Sequence, residues 1–312
     1  MSFTSVHLDV CTLCQLDCPT CYMRRKKYAV GDGYLSFSNF KKFLDLNPQL
    51  ESIELSNNGE VFLNPELLQI IELAHQRRVK LTIAGGVNFN TVTPEVLEGL
   101  VKYNVHDLNI GLDGASQETY SAYRRGGDFD QVIANIKQIN QHKQHLGPEK
   151  YEPLLFWQYI ILPSNDQISE IEKAIAMATE LNMEICFKKD WSGYVPSKNL
   201  EKIEKLTHLN YSGGQIITND STVRFLPCRQ LWQSLQINWD GRVFGCCSNN
   251  WCDLGVNAFE MSLEDCVQTP LVQNTMAMLM GKLPRQENQC RDCQVYLDMV
   301  AQNNFITPEE LA

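Results

Sequence analysis

The sequence lacks a long apolar run, a secretory signal and a surplus of positive charge. No stretch approaches the roughly 18 consecutive apolar residues that a membrane span needs. Residues 1–9 contain no basic segment followed by an apolar core, so we expect a cytoplasmic protein that contacts no membrane. The formal net charge is -10, whereas nucleic-acid binding depends on clustered Lys and Arg. We therefore expect no nucleic-acid partner.

Cysteine, by contrast, is abundant. The 312 residues include 12 Cys, and thiols stay reduced in the cytosol, which argues against disulfides and favours metal binding or catalysis. Four of the cysteines fall within residues 11–21, one is Cys186, and seven fall within residues 228–293. This grouping predicts two separate sites.

Up to about residue 190, short apolar runs alternate with amphipathic segments, which is typical of a parallel sheet with crossover helices. Start signals such as Thr93-Pro94-Glu95 precede the amphipathic segments, because a cap and a proline suit the first helical turn. We predict an α/β fold, a partial (β/α)6 TIM-like barrel over residues 1–190. Its predicted strands are residues 6–10, 52–55, 80–84, 107–112, 154–162 and 184–188.

The last third of the chain follows a different pattern. Residues 191–226 are mostly polar and contain Pro196, so we expect a linker or a lid there. Asp240-Gly241 lies between two apolar runs, which predicts a β-hairpin. We predict a small C-terminal domain over residues 227–312, made of this hairpin and a helix over residues 263–280.

Three cysteines follow the first predicted strand at short spacing: Cys14, Cys18 and Cys21. Loops at the carboxyl ends of barrel strands carry the chemistry of barrel enzymes. A 4Fe-4S cluster is normally held by four Cys thiolates, so a loop that supplies three leaves one iron open. Cys11 adds a second Cys-x2-Cys pair, and the four thiols together are also a zinc set. A buried thiol is the simpler interpretation of Cys11.

The spacing Cys-x3-Cys-x2-Cys, followed by the aromatic Tyr22, resembles the radical S-adenosylmethionine (radical SAM) superfamily. The resemblance implies that Cys14, Cys18 and Cys21 bind a 4Fe-4S cluster and that S-adenosylmethionine (SAM) chelates the open iron next to Tyr22. It also implies reductive cleavage of SAM to a 5'-deoxyadenosyl radical, which abstracts hydrogen from a substrate. An external one-electron reductant, a flavodoxin or a ferredoxin, would then be a partner.

A second segment carries the resemblance further. Residues 56–60 (Ser-Asn-Asn-Gly-Glu) end the second predicted strand and resemble the family's Gly-Gly-Glu segment, which meets the amino group of the cofactor. Taken alone, the same residues are also a simple turn. The resemblance implies a cofactor-binding role for Asn57, Asn58, Gly59 and Glu60.

Residues 108–135 resemble the family's fourth strand and the helix that follows it. There, an Arg before a Gly pairs with the cofactor carboxylate, a role that suits the guanidinium fork. In this chain that residue is Arg124 or Arg125, although two adjacent arginines are also typical of a solvated helix end. Gln158, in the fifth predicted strand, faces the cofactor pocket by the same analogy.

The later cysteines resemble the C-terminal extensions called SPASM and twitch. Gly241 precedes Cys246 by five residues, as in those extensions, where a hairpin carries the first ligand pair and a later Cys-x2-Cys closes the site. The shorter, twitch-like pattern implies one auxiliary 4Fe-4S cluster, and zinc on the same four thiolates is the alternative. The implied ligands are Cys228, Cys246, Cys290 and Cys293.

Three cysteines of this region are left over, Cys247, Cys252 and Cys266, and the first two are candidate catalytic residues. Cys247 is adjacent to an implied ligand and would point the opposite way along a strand. In radical epimerases of this broad group, a cysteine returns a hydrogen atom to the substrate radical, and Cys247 or Cys252 is a candidate for that role. A buried, inert thiol is the simpler interpretation of both.

The substrate stays open between two classes. Many relatives with this extension modify ribosomally made peptides, so a peptide maturase is the first hypothesis. The first predicted strand begins near Met1, and we expect a separate protein to recognise the peptide. The second hypothesis is a small-molecule epimerase or dehydrogenase of aminosugar biosynthesis, because an acidic chain suits a small cationic substrate. A non-catalytic, metal-stabilised binding module is the third, and it requires the cofactor motifs to be coincidental.

Overall fold

Seven parallel strands form one curved sheet in the computed structural model, which describes residues 2–21, 23, 30–147, 152–190, 192–211, 227–247, 253–288 and 290–311. The sheet order is β6-β5-β4-β3-β2-β1-β7, so the predicted α/β fold with a partial TIM-like barrel is confirmed. The strands are β1 (Ser5–Leu8), β2 (Ser52–Glu54), β3 (Lys80–Val87), β4 (Asp107–Gly111), β5 (Leu154–Ile161), β6 (Glu184–Lys189) and β7 (Leu235–Ile237).

Helices connect successive strands. Their starts follow local signals: the Thr93 side chain accepts a hydrogen bond from the Val96 backbone N–H, and Pro94 occupies the first turn that follows. No helix among the described residues is long and apolar enough to cross a membrane. The helices are α1 (Phe37–Leu46), α2 (Leu67–Gln76), α3 (Pro94–Lys102), α4 (Gln117–Tyr123), α5 (Phe129–Leu146), α6 (Ile168–Glu180), α7 (Leu200–Thr207), α8 (Gln230–Gln233), α9 (Leu263–Cys266), α10 (Pro270–Leu279) and α11 (Gln294–Ala301).

The two faces of the sheet differ in polarity. Leu8 and Ile53 are fully buried in the apolar core that the helices cover. On the opposite face, His7, Glu54 and Thr82 pair in register across β1, β2 and β3. Because side chains alternate along a strand, the inner wall of the partial barrel is polar while the outer wall is apolar.

The seventh strand is the main departure from the predicted fold. Leu235–Ile237 was expected only as one arm of a hairpin, but β7 also pairs in parallel with β1, with His7 opposite Gln236. In the described residues, the return arm forms isolated bridges, from Val243 to Ile237 and from Arg242 to Asn257. The C-terminal part of the chain therefore contributes a strand to the barrel sheet.

The helix predicted over residues 263–280 is wrong as one continuous element. It is divided into α9 and α10, and Pro270 occupies the first turn of α10. Proline has no backbone N–H and cannot continue a helix from the preceding turn. Of the predicted lid, the structure describes residues 192–211, which include α7; residues 212–226 lie outside the described residues.

The C-terminal hairpin also holds the segment that follows the first cysteines. The Val30 carbonyl accepts hydrogen bonds from Asn238 Nδ2 at 2.8 Å and from Trp239 Nε1 at 3.0 Å. A Cβ on Gly33 would lie 2.5 Å from the Trp239 ring, so only glycine fits beneath this indole. The two cysteine-rich parts of the chain are thus packed together.

Because β7 belongs to the barrel sheet, shortening a buried β7 side chain should destabilise the whole molecule. Ile237 is fully buried, and Ile237→Ala should cost about 3 kcal/mol of unfolding free energy. We expect one cooperative denaturant transition by both circular dichroism and tryptophan fluorescence. The control Val300→Ala, on an exposed α11 position, should change the free energy by less than about 0.5 kcal/mol. Two separate transitions, with only one shifted, would contradict the shared sheet.

Candidate active site

The loop after β1 carries the first three predicted iron ligands at the barrel rim. Cys18 is buried, Cys21 is half-buried and Cys14 is exposed. Although Cys14 is exposed as a residue, partial desolvation of its thiol raises its pKa to about 11. Burial raises the pKa of Cys18, which the Arg124 charge opposes, and neighbouring thiolates raise both pKa values. Thiols that crowd in this way need positive charge nearby before they ionise together.

Cys11 is held differently from these three. It is fully buried, its backbone forms an antiparallel bridge with Tyr34, and its Sγ donates to the Leu13 carbonyl at 3.9 Å. Burial raises the pKa of its thiol to about 11. Its surroundings are those of a structural cysteine.

Residues 56–60 lie directly against the cysteine loop. Gly59 has a φ of +71°, and a Cβ there would stand 2.3 Å from the Cys11 carbonyl oxygen, so the contact requires glycine. The Glu60 backbone N–H donates to the Leu13 carbonyl at 2.8 Å. Asn57 Nδ2 donates to the Cys247 carbonyl at 2.9 Å, and Asn58 is buried. All four predicted cofactor-binding residues of this segment therefore lie between the two cysteine groups.

Glu60 is a buried carboxyl beside the cysteines. Burial raises its pKa from the ordinary 4.5 to about 7, although hydrogen bonds from the backbones of Asn88 and Phe62 oppose the rise. The Asn88 backbone N–H donates to Glu60 Oε2 at 2.7 Å. Glu60 also interacts electrostatically with Cys14. The rim thus holds an ionisable carboxyl next to the first thiol.

Asn88 is a residue that the sequence analysis missed. Its Nδ2 donates to Cys14 Sγ at 3.8 Å and to Gln15 Oε1 at 3.2 Å. Asn88 directly follows β3, so its place at a strand's carboxyl end was a signal that could have found it.

Of the two candidate arginines, the structure brings only Arg124 to the site. Arg124 is buried, and its Nε donates to Asp113 Oδ2 at 2.7 Å; Arg125 is exposed. Burial alone would lower the pKa of Arg124, but the charges of Asp113 and Cys18 raise it above its ordinary value. A Cβ on Gly111 would lie 2.0 Å from an Arg124 terminal nitrogen, so glycine makes room for the guanidinium.

Gln158 lies on the inner wall of the barrel, where it pairs in register with Gly111 of β4, the glycine that makes room for Arg124. It is buried, and its Oε1 accepts a hydrogen bond from Lys188 Nζ at 2.6 Å. Burial lowers the pKa of Lys188. This wall carries positive charge, whereas the opposite wall, with Glu54 and Asp9, carries carboxylates.

The C-terminal cysteines form a second group. Burial raises the pKa of Cys228, and it raises the pKa of Cys290 to about 12. The charge of the Cys293 thiolate raises both pKa values further. Cys246 and Cys247 are half-buried, and Cys247 interacts electrostatically with Cys228. Cys228, Cys290 and Cys293 are therefore close together at one site.

Two predicted site residues, Tyr22 and Cys252, lie outside the described residues. Among those that the structure describes, no three His, Cys, Asp or Glu side chains converge on the position of a single metal ion.

Comparison with known proteins decides the family. The model of the radical SAM superfamily matches residues 9–147, and that of the SPASM iron-sulfur cluster-binding domain matches residues 228–294. Residues 9–147 belong to the radical SAM superfamily. Residues 228–294 are a SPASM-type region, and the two matches together imply 4Fe-4S clusters and SAM as cofactors.

Curated relatives match over part of their length. The AdoMet-dependent heme synthase of Methanosarcina barkeri (strain Fusaro / DSM 804) is 26% identical over 130 residues, 41% of this chain and 36% of that protein. Mycofactocin maturase MftC of Mycobacterium tuberculosis is 28% identical over 131 residues, 40% of this chain and 32% of that protein. The matches thus span about a third of each relative.

Solved structures share the fold over most of the chain. Streptococcus suis SuiB bound to S-adenosylmethionine superposes with a TM-score of 0.63 and 15% identity, covering 95% of this chain and 71% of that one. The anSMEcpe enzyme with bound AdoMet and the Kp18Cys peptide gives a TM-score of 0.58 and 12% identity, covering 94% and 86%. At these identities the likeness concerns the fold.

The side chains of the radical SAM region fit the implied cofactors. Cys14, Cys18 and Cys21 stand on one rim loop, and the pKa values of Cys14 and Cys18 are raised, as expected of thiols that ionise only when iron binds. Glu60 and Arg124 supply one negative and one positive group beside them. In the second group, Cys228, Cys290 and Cys293 are mutually close in the same way.

The raised pKa of Glu60 predicts a pH-dependent stability. Below pH 4.5 the carboxyl is protonated in the folded and the unfolded chain; as the pH rises towards 7, only the unfolded chain ionises. The free energy of unfolding should therefore fall by ~2 kcal/mol more in the wild type than in Glu60→Gln between about pH 5.5 and 8. Urea titrations at both pH values give the free energy of unfolding of each protein. If that free energy changes equally with pH in the two proteins, the buried-carboxyl assignment is refuted.

Proposed function

We propose that this radical SAM enzyme modifies a ribosomally made peptide after abstracting hydrogen from it. The observation that supports SAM-dependent chemistry is the pair of oppositely charged side chains beside the cysteine loop. Glu60 interacts with Cys14, and Arg124 interacts with Cys18. An α-amino acid group such as that of SAM carries an ammonium and a carboxylate, which match Glu60 and Arg124 respectively.

In the proposed reaction, the bound cluster and SAM together supply the 5'-deoxyadenosyl radical. The protein's residues orient the cofactor and shield it from solvent. Arg124, fixed by Asp113 and given room by Gly111, holds the cofactor carboxylate, and Glu60 accepts from the amino group with the Asn57–Gly59 backbone beside it. Gln158 and Lys188 complete the adjoining inner wall. The polar face of the sheet, with His7, Glu54 and Thr82, is left for the substrate.

A peptide substrate is supported by two relatives and by the shape of the sheet. One curated relative is a mycofactocin maturase, and SuiB has also been solved bound to its precursor peptide SuiA. In the described residues, β6 and β7 end the sheet and do not pair with each other. A barrel that is open between two edge strands admits an extended chain more readily than a closed one does. We further propose an external flavodoxin or ferredoxin as reductant and a separate peptide-recognition protein.

A small-molecule substrate is the second candidate. The structure of BtrN in complex with AdoMet and 2-DOIA covers 94% of both chains with a TM-score of 0.50 and 13% identity, so the two proteins are similar in size. The formal net charge of -10 also suits a small cationic substrate. Addition of peptide pools or of aminosugars to the reduced holoenzyme separates the candidates. Stimulation of 5'-deoxyadenosine formation by aminosugars alone would contradict the peptide proposal.

Cys247 is our proposed hydrogen donor. It lies where the two cysteine groups meet, since its carbonyl accepts from Asn57 and its thiol interacts electrostatically with Asp9 and Cys228. In this step, the S–H bond breaks and a C–H bond forms on the substrate radical. One electron and one proton from the external reductant system and solvent then restore the thiol. Cys252, outside the described residues, is the alternative donor.

Replacing one rim cysteine should distinguish a ligand of the iron-sulfur cluster from a cysteine that does not bind it. Cys14→Ala should reduce 5'-deoxyadenosine formation to background, because the rim cluster normally depends on all three of its loop thiolates. Cys11→Ala is the matched control and should retain activity. Chromatographic assay after anaerobic reconstitution and reduction gives the rates. Turnover by Cys14→Ala, or equal loss in Cys11→Ala, would overturn these assignments.

Cys247→Ala should uncouple hydrogen abstraction from product formation. With any substrate that stimulates 5'-deoxyadenosine release, the variant should still release it, whereas deuterium from D2O should no longer enter the product. Cys186→Ala, at a half-buried thiol of β6, is the control and should incorporate deuterium normally. Unchanged deuterium content in the Cys247 variant, measured by mass spectrometry, would eliminate Cys247 as the donor.

A further inference from the structure

Asp9 is a buried carboxylate held by neutral donors. It follows β1 directly and is fully buried. Asn58 donates to it twice, from its backbone N–H at 2.8 Å and from Nδ2 at 2.6 Å, and Gln236 Nε2 donates at 2.8 Å. Among the described residues, no Lys, Arg or His forms an ion pair with it. A carboxylate buried without a countercharge is costly, so its retention points to a specific role.

The three residues belong to three different parts of the site. Asp9 precedes the rim cysteines, Asn58 lies in the segment that ends at Glu60, and Gln236 is the middle residue of β7. The Gln236 carbonyl accepts from the backbone N–H groups of Phe244 at 2.8 Å and Gly245 at 3.3 Å. Gln236 is therefore connected to the backbone that leads immediately into Cys246.

The Gln236 side chain bonds to Asp9 in the interior of the protein. It is fully buried, so it offers no surface to a ligand. Its Nε2 donates to Asp9 Oδ2 at 2.8 Å and to the Ile237 carbonyl at 3.2 Å. The amide donor is thus used inside the protein, and Asp9 is the side chain that accepts from it.

A second link runs parallel to the first. Asn57, next to Asn58, donates from Nδ2 to the Cys247 carbonyl at 2.9 Å. Two successive side chains of residues 56–60 thus lead, directly or through Asp9, to the segment that carries Cys246 and Cys247. A shift of that segment would be transmitted to the backbone beside Glu60.

We propose that Asp9 is a positioning residue that joins the SAM-binding segment, residues 56–60, to β7, so that the C-terminal region sets the geometry of the SAM site. This inference rests on the proposed role of residues 56–60 in binding SAM. It predicts that Gln236, which no ligand can touch, controls SAM affinity through Asp9.

A swap of the two side chains tests the link at pH 8 in the reconstituted holoenzyme. Asp9→Asn places an amide donor against the donors of Gln236 and Asn58, and Gln236→Glu places a second carboxylate against Asp9. Each should weaken SAM binding about tenfold, measured by anaerobic equilibrium dialysis. The double variant Asp9→Asn with Gln236→Glu again pairs a donor with an acceptor. Its SAM affinity should recover to within about threefold of the wild-type value.

Asn47→Asp is the structural control. Asn47 is also buried, and it binds the Phe43 carbonyl and the Leu263 N–H far from the rim. It should lower the unfolding free energy without changing SAM affinity. If the charged variants do not fold, Gln236→Met removes the amide without adding a charge and should weaken SAM binding about threefold.

Two outcomes overturn the inference: additive losses in the double variant, or single variants that lose stability while SAM affinity is unchanged. Failure of the wild-type holoenzyme to bind SAM would instead contradict the proposed function itself. If the wild type binds SAM normally but the effects of the two substitutions are additive, only the proposed role of Asp9 is contradicted.

Discussion

The contact between residues 56–60 and the cysteine loop is the constraint on which the site depends. At Gly59 the two backbones approach so closely that a Cβ would stand 2.3 Å from the Cys11 carbonyl oxygen. This approach carries Glu60 to the side of Cys14 and Asn58 to Asp9. It also leaves Glu60 buried, which is why its pKa rises to about 7. A bulkier residue at position 59 would separate the charge from the thiols.

The second constraint is the seventh strand. Because β7 pairs with β1, the C-terminal cysteine region is built on the same sheet as the rim cysteines. The bonds of Asn238 and Trp239 to the Val30 carbonyl reinforce this arrangement. The two cysteine groups are therefore held in a defined relation, as expected of sites that share one substrate cavity or exchange electrons.

The sequence was a good guide wherever the signal was local. The spacing of Cys14, Cys18 and Cys21 and the alternation of strands and helices lie within short segments, so they were predictable. The choice between Arg124 and Arg125 was not, because it depends on the fit of one guanidinium against Gly111 and Asp113. The parallel pairing of β7 was not predictable either, because a hairpin arm and a strand of a larger sheet have the same pattern of apolar residues. Asp9 and Asn88 gain their roles only from contacts distant in sequence.

Electron paramagnetic resonance of the reduced, reconstituted protein with and without SAM tests the central claim most directly. We expect about eight irons per chain, in two 4Fe-4S clusters, and a change in the signal of one cluster when SAM is added. The Cys14→Ala protein should retain only the signal that does not respond. A spectrum that SAM leaves unchanged would contradict a radical-generating site at Cys14, Cys18 and Cys21, and a single cluster that responds to SAM would contradict the auxiliary site.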